Sequence, residues 1–381
     1  MADIIPKPSS ELNTRSNMGA NVNTNSNKIP VAILGATGAV GQRFIQLLQN
    51  HPLFEIVALS ASDRSEGKRY ADAAHWVIEG DIPAAVCDQV LLPTNASIVG
   101  AQADIRVAFS ALPNDSAQGA EPAFAQAGVT VFSNASFHRM LKDVPLVITE
   151  VNAGHLQLLK RQRAARGWTG GICCNTNCTV SGPAMSLRPL YDAFGVKRVF
   201  AVSMQAESGA GYPGVPSLDI TDNVMPFIKG EEDKMEAEAR KLLGVLREDG
   251  IEDAPIDLSA HCNRVPVIDG HVVTMSVELA SPASPADVVH VLDAYRCAEV
   301  DGLPMAPEQP VVVRSEADRP QPRRDRMTGK GMSTVVGRVR AEPLFGACGV
   351  KFVTLSHNTI RGAAGGSLLN AELAARWGLI C

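Results

Sequence analysis

A short apolar run that ends in a glycine-spaced turn constrains this chain more than any other feature. Val31-Ala32-Ile33-Leu34 is continuously apolar, as a strand buried on both faces of a parallel sheet must be. It leads into Gly35-Ala36-Thr37-Gly38-Ala39-Val40-Gly41 and then into an amphipathic segment, residues 42–49. Glycines at this point let the backbone turn tightly and approach a pyrophosphate, while the helix beyond offers free amides and the positive end of its dipole. The spacing places one glycine differently from the usual Gly-x-Gly-x-x-Gly, because Ala36-Thr37 intervenes, but the physical logic is the same. Gly35, Thr37, Gly38, Ala39, Val40 and Gly41 are therefore expected to contact a dinucleotide.

The rest of the first half keeps this texture. Residues 54–59, 105–110 and 129–133 read as strands, with helical stretches such as residues 117–127 between them. That alternation predicts an α/β, doubly wound, Rossmann-type domain over residues 29–175. From about residue 176 the pattern changes. Residues 199–205 and 272–279 read as longer strands, residues 231–246 as a charged helix, and residues 286–295 as a helix after a turn at 281–285. Such blocks predict an α+β second domain over residues 176–356. A last helix at residues 363–377 lies in a closing segment, 357–381, that is expected to complete the first domain. Residues 1–28 are rich in Asn, Ser and Pro without hydrophobic pattern and read as a disordered tail. Asp3 and Glu11 speak against a transit peptide there.

Composition excludes several classes. The net charge of −5 gives no basic excess for nucleic acid or an anionic membrane. No apolar run approaches the roughly 20 residues needed to span a bilayer. The cysteines are scattered, and a chain of 381 residues needs no disulfide staples, so reduced thiols in a cytoplasmic setting are expected. Cys173, Cys174 and Cys178 lack the second pair that a zinc site wants, so no metal site is expected.

The end of the second strand bears on the cofactor. An NAD site usually presents an acidic residue there to hold the ribose hydroxyl; here Ser62-Asp63-Arg64-Ser65 follows. Arg64 with the hydroxyls of Ser62 and Ser65 suits a 2′-phosphate, which favours NADP.

Asn177-Cys178-Thr179 places a cysteine at a helix start. The dipole and free amides there are expected to lower the thiol pKa and to hold an oxyanion. Cys173 and Cys174, in an apolar strand, read as inert buried thiols.

Further ordered blocks are Ser133-Asn134-Ala135, Asp143-Val144-Pro145-Leu146, Gln205-Ala206-x-Ser208-Gly209-Ala210-Gly211, Gly230-Glu231-Glu232-Asp233-Lys234-Met235, Cys262-Asn263-Arg264-Val265-Pro266-Val267, Gly270-His271, Ser356-His357-Asn358-Thr359 and Gly362-Ala363-Ala364-Gly365-Gly366. Together with the glycine turn and the cysteine block, they resemble the aspartate-semialdehyde dehydrogenase family in its fungal and archaeal branch, over residues 30–378. The resemblance implies that Cys178 is the nucleophile, His271 the acid/base, and Gln205 the group orienting a thioester. It implies that Arg264 binds the substrate α-carboxylate, Glu232 its amino group, and Lys234, Asn134 and Arg139 its phosphate. Ser208, Gly209 and Asn358 would meet the nicotinamide end. It also implies a catalytic and dimerisation role for the second domain and a homodimer or homotetramer. Glu207 departs from the family pattern by adding a negative charge near the expected intermediate. Tyr212-Pro213-Gly214-Val215-Pro216 resembles archaeal malonyl-CoA reductase, which uses the same thioester chemistry. A CoA thioester has no α-amino group, so Glu232 with Lys234 favours an aspartyl phosphate. N-acetylglutamyl-phosphate reductase is a more distant alternative. A non-catalytic NADP sensor would not need Cys178 and His271.

Overall fold

The computed structural model describes residues 28–102 and 104–380, so the expected tail lies outside the described residues except for Lys28. Seven strands make the first sheet: β1 (Ile29–Leu34), β2 (Phe54–Ala61), β3 (Leu92–Pro93), β4 (Val107–Ser110), β5 (Thr130–Ser133), β6 (Leu146–Val147) and β7 (Gly171–Asn175). Their spatial order is β3-β2-β1-β4-β5-β7-β6, and every pairing is parallel. β1 lies between β2 and β4, so the winding direction switches there and a crevice opens beyond its carboxyl end, at Gly35. The apolar run Val31–Leu34 is fully buried because helices cover both faces. Helix Ala39–Leu47 delivers Phe44 against Phe109 of β4, with ring centroids 4.9 Å apart. The closing helix Gly365–Arg376 adds Leu368, Leu369 and Leu373 to the same apolar cluster, so the end of the chain packs on the first sheet.

The second sheet has six strands: β8 (Val196–Gln205), β11 (Asp257–Arg264), β12 (His271–Leu279), β13 (Val311–Arg314), β14 (Thr334–Ala341) and β15 (Gly349–Ser356); β9 (Val245–Arg247) and β10 (Gly250–Glu252) form a separate hairpin. The order is β11-β8-β12-β15-β14-β13, with the outer pairs parallel and the inner pairs antiparallel. Along β12, His271, Val273, Met275, Val277 and Leu279 are buried while the residues between them are only partly so. That alternation is the period of a sheet packed on one face. The packed face rests on helix Cys178–Phe194. Among the described residues no helix is long and apolar enough to cross a membrane.

Several boundaries differ from the sequence reading, and the two at the charged helix and the closing helix have a visible structural cause. The charged helix stops at Leu242 rather than at 246, because Val245–Arg247 pairs with Gly250–Glu252. Gly244 permits the turn: a Cβ there would lie 2.3 Å from the Glu252 carbonyl oxygen. The last helix is regular only from Gly365, preceded by a π-turn at Ile360–Ala364.

That π-turn is anchored by charge. Arg361 pairs with Glu150 of helix Thr149–Asn152, the two side chains being 1% and 0% exposed. Removing one member of a buried pair leaves the other charge uncompensated. Arg361→Met should therefore lower stability by about 3–5 kcal/mol, read as a fall in the urea midpoint. Adding Glu150→Gln should recover part of the loss, and an unchanged midpoint in the single variant would refute the assignment.

Candidate active site

The topology of the second sheet gathers polar residues at one edge. β8 and β11 are parallel and end together, pairing Gln205 with Arg264. β12 is antiparallel to β8 and starts at that edge with His271, which pairs with Ser356 at the end of β15. Facing them are the carboxyl ends of the first sheet: the Gly35 turn after β1, Asn134 after β5, and Asn175 closing β7. Between the two edges lies a cleft of about 730 Å³. Its walls include Thr37, Gly38, Ala39, Val40, Asn134, Arg139, Cys178, Gln205, Ser208, Gly209, Lys234, Arg264 and Asn358.

Cys178 is the first residue of helix Cys178–Phe194, and the side chain of Asn177 caps that helix by accepting the Thr179 N–H at 2.8 Å. The Cys178 sulfur is 3.2 Å from Nε2 of His271. Nδ1 of the same ring accepts the Ala206 N–H at 3.0 Å, so the neutral imidazole carries its proton on Nε2, facing the sulfur. Glycines make the approach possible. A Cβ at Gly362 would sit 2.8 Å from Cys178 Cα, and one at Gly209 would sit 2.9 Å from Arg264 Nη1 and 3.0 Å from His271 Cε1.

One electrostatic expectation, the lowered thiol, is corrected by the structure. Desolvation, with the Glu231 carboxylate adding to it, pushes the Cys178 thiol up to about 11, against the opposing pull of Arg139 and Arg264. Burial and the neighbouring carboxylate together outweigh the two guanidinium groups, so the resting sulfur is a thiol. Desolvation, then Arg264 and His357, press the His271 imidazole down to about 3. It is neutral at physiological pH.

The carboxylate of the site is also not the expected one. Glu232 turns away, and its Oε1 accepts the Cys262 N–H at 3.0 Å. Glu236, one turn later, accepts the Ala260 N–H at 3.3 Å. β11 is the outermost strand, so its alternate outward amides need partners, and this glutamate pair supplies them. Glu231 faces the cleft instead. Its carboxylate accepts from Asn177 Nδ2 at 3.0 and 3.1 Å, from Lys234 Nζ at 3.0 Å and from Gln205 Nε2 at 3.3 Å.

The cationic groups are individually held. Arg264 donates to the Ala206 carbonyl at 2.8 Å. Arg139 donates through Nη1 to Glu238 at 2.9 Å and through Nη2 to the Asn134 carbonyl at 2.7 Å, while its buried Nε has no partner. Asn134 is fixed by its own Nδ2 on the Ser110 carbonyl and by Asn175 Nδ2 on its Oδ1, both at 3.2 Å. Glu231, Glu238 and Asn177 were missed from the sequence. Glu231, Met235, Glu238 and Leu242 recur at helical spacing and are all buried, a charged-and-apolar stripe that could have flagged the two glutamates.

The other end of the cleft suits a dinucleotide. Gly38 caps helix Ala39–Leu47 with no side-chain hydrogen bond, which leaves the first-turn amides open to an anion. Gly35 has φ +79°, and a Cβ at Gly41 would lie 2.3 Å from the Gly35 carbonyl oxygen, so both glycines are required by the turn. Ser62, Arg64 and Ser65 are not on the cleft wall; Ser62 and Arg64 are exposed in the loop after β2, and the Ser60 carbonyl accepts the amides of Gly35 and Ala36. That places the loop next to the glycine turn. Ser208 Oγ donates to Asp269 at 2.7 Å and accepts from Asn358 Nδ2 at 2.7 Å, tying together two of the residues expected at the nicotinamide end. Glu207 lies off the cleft wall, with its amide on the Val267 carbonyl. His75, not singled out in the sequence, and Tyr212, of the block resembling malonyl-CoA reductase, meet at the cleft with ring centroids 4.8 Å apart.

Comparison with known proteins agrees with this layout. The family described as semialdehyde dehydrogenase, NAD binding domain, matches residues 30–159, and semialdehyde dehydrogenase, dimerisation domain, matches residues 187–361. An aspartate-semialdehyde dehydrogenase of Archaeoglobus fulgidus is 51% identical over 343 residues, covering 90% of this chain and 97% of the relative. One from Trichophyton rubrum is 46% identical over 357 residues, covering 91% and 97%. The crystal structure of aspartate semialdehyde dehydrogenase with NADP from Candida albicans matches with a TM-score of 0.84 at 42% identity, covering 92% of this chain and 100% of that one. The chain belongs to the aspartate-semialdehyde dehydrogenase family.

Proposed function

We propose that this protein is an NADP-dependent aspartate-semialdehyde dehydrogenase, which reduces L-aspartyl 4-phosphate to L-aspartate 4-semialdehyde through a thioester on Cys178. The observation that carries this is the 3.2 Å contact between the Cys178 sulfur and an imidazole N–H, in a cleft that joins a glycine turn to Arg139, Lys234 and Arg264. It is a cytoplasmic enzyme of amino-acid biosynthesis. It works as a homodimer or homotetramer, using the open face of the six-stranded sheet, where Phe200 is 43% exposed.

Arg264 binds the α-carboxylate. Glu231, in the place first given to Glu232, holds the α-amino group, and a CoA thioester would offer that carboxylate no partner. Arg139, Lys234 and Asn134 hold the phosphate. The sulfur attacks the acyl carbon, the carbon–oxygen bond to phosphate breaks, and the thiol proton leaves with the phosphate. An acyl phosphate is a poor hydride acceptor, whereas the thioester accepts hydride readily. NADPH, held by the Gly35–Gly41 turn, Arg64 with Ser62 and Ser65, and Ser208, Gly209 and Asn358, supplies that hydride when bound. Gln205 keeps the thioester oriented. The Nε2–H of His271 hydrogen-bonds to the oxyanion that forms and then to the thiolate released as the carbon–sulfur bond breaks, stabilising charge where it develops, and the thiolate regains its proton from solvent.

The purified protein should reduce NADP with aspartate semialdehyde only when phosphate is present. Cys178→Ala should lower that rate by at least roughly 10³-fold, the scale on which loss of a nucleophile acts. Faster CoA-dependent oxidation of malonate semialdehyde would move the protein to the malonyl-CoA reductases.

With its thiol held near 11, Cys178 of the ligand-free protein should be alkylated by iodoacetamide about tenfold faster for each pH unit from 7 to 10, since the thiolate is the reacting form. Mass spectrometry of the Cys178 peptide reads this, and a plateau by pH 7 would contradict it.

Arg64→Ala should raise KM for NADPH roughly 10- to 100-fold, as loss of a charged hydrogen bond worth about 1.5–3 kcal/mol implies, and leave that for NADH unchanged. Equal effects on both cofactors would place the 2′-phosphate elsewhere.

A further inference from the structure

Helix Glu231–Leu242 carries a buried carboxylate that the chemistry above does not use. Glu238 is 2% exposed and lies off the cleft wall. Its Oε1 accepts from Arg139 Nη1 at 2.9 Å. Its Oε2 accepts from Thr176 Oγ1 at 2.9 Å and from the Asn177 N–H at 2.7 Å. One oxygen thus grips the guanidinium, and the other grips the two residues that lead directly into Cys178. Lys241, one turn further, donates to the carbonyls of Arg139, Leu141 and Val144 at 2.6, 2.9 and 2.9 Å, which fixes the backbone carrying Arg139. A buried ion costs free energy unless its partners are complete, and here three donors on two separate segments complete it.

We infer that Glu238 is a positioning residue which sets the separation between the phosphate-binding guanidinium of Arg139 and the attacking sulfur of Cys178, a role that rests on the aspartyl-phosphate reading. Displacement at the acyl carbon needs the sulfur and the departing phosphate held in one geometry, and a misplacement of about 1 Å can cost roughly 10²-fold in rate. Separate anchors for the arginine and for the helix start would let the two drift independently. A single carboxylate bonded to both does not.

Glu238→Gln keeps the shape and breaks the pattern. If the amide oxygen serves Arg139, its NH₂ faces the Asn177 N–H; if it serves Asn177, its NH₂ faces the guanidinium. Either way two donors oppose each other.

The test is steady-state kinetics with aspartate semialdehyde, NADP and varied phosphate. Glu238→Gln should raise the phosphate KM about tenfold, as loss of about 1.4 kcal/mol of binding would, and lower kcat by roughly 10²-fold, with the KM for NADP unchanged. Thr176→Val removes one donor and leaves the ion pair, so it should lower kcat and spare the phosphate KM. Arg139→Gln should raise the phosphate KM, and adding Glu238→Gln to it should raise that KM no further, because the two changes break the same interaction. Wild-type phosphate KM and kcat in Glu238→Gln would overturn the inference, as would fully multiplicative effects in the double variant. If Glu238→Gln does not fold, Thr176→Val decides: a lower kcat supports the role and an unchanged one overturns it. A wild-type protein inactive on aspartate semialdehyde would defeat the substrate reading instead. The role is then read from protection of Cys178 against iodoacetamide by inorganic phosphate: weaker protection in Glu238→Gln supports it, and equal protection overturns it.

Discussion

Cys178, on the helix that follows the first sheet, and His271, on the second sheet, meet with 3.2 Å between sulfur and Nε2, the contact on which the proposed chemistry depends. The cysteine arrives at the end of β7, where the first sheet hands the chain to helix Cys178–Phe194. The imidazole stands at the first residue of β12 in the second sheet. Neither could be moved by one residue. A shift of register along β12 would turn His271 to the opposite face, since side chains alternate along a strand. The close fit continues at Gly209 and Gly362, where any side chain would push into the imidazole, the arginine or the cysteine. Such contacts hold only if the two units keep one arrangement. The closing helix and the buried Arg361–Glu150 pair fasten the end of the second unit to the first.

Much of the fold was legible because it rests on short-range patterns. β1, its glycine turn and helix Ala39–Leu47 follow from an apolar run, three glycines and an amphipathic stretch, all contiguous. The alternation in β12 and the charge spacing of helix Glu231–Leu242 were also visible. The misplaced helix end at 246 shows the limit. Gly244 is a weak helix former and a possible stop, and the pairing of Val245–Arg247 with Gly250–Glu252 fixes the end at Leu242.

In the site, residue types were legible and partners were not. Glu231 and Glu232 are adjacent acids, and only the stripe of Glu231, Met235, Glu238 and Leu242 hints which one turns inward. What separates them is the neighbour on each side of the helix: the outward amides of β11 beside Glu232, and Asn177, Gln205 and Lys234 beside Glu231. Glu238 and Lys241 read as solvated charges until Arg139 and the 139–144 loop, about 100 residues earlier, fold against them. Long-range burial turns a surface-like pattern into a fixed internal framework.

The same burial explains why the resting pair is neutral. Thiol and imidazole are both displaced from their ordinary ranges by desolvation first, in opposite senses, so neither a thiolate nor an imidazolium exists near neutral pH without help. With the Ala206 amide on Nδ1, the ring serves as an Nε2–H donor rather than as a base toward sulfur. The anions it can stabilise are those that appear during reaction: the thiolate and then the oxyanion. Arg139 and Arg264 already oppose the upward shift of the thiol, and Glu231 reinforces it. In that balance the idle enzyme exposes little reactive sulfur to oxidants or alkylating agents.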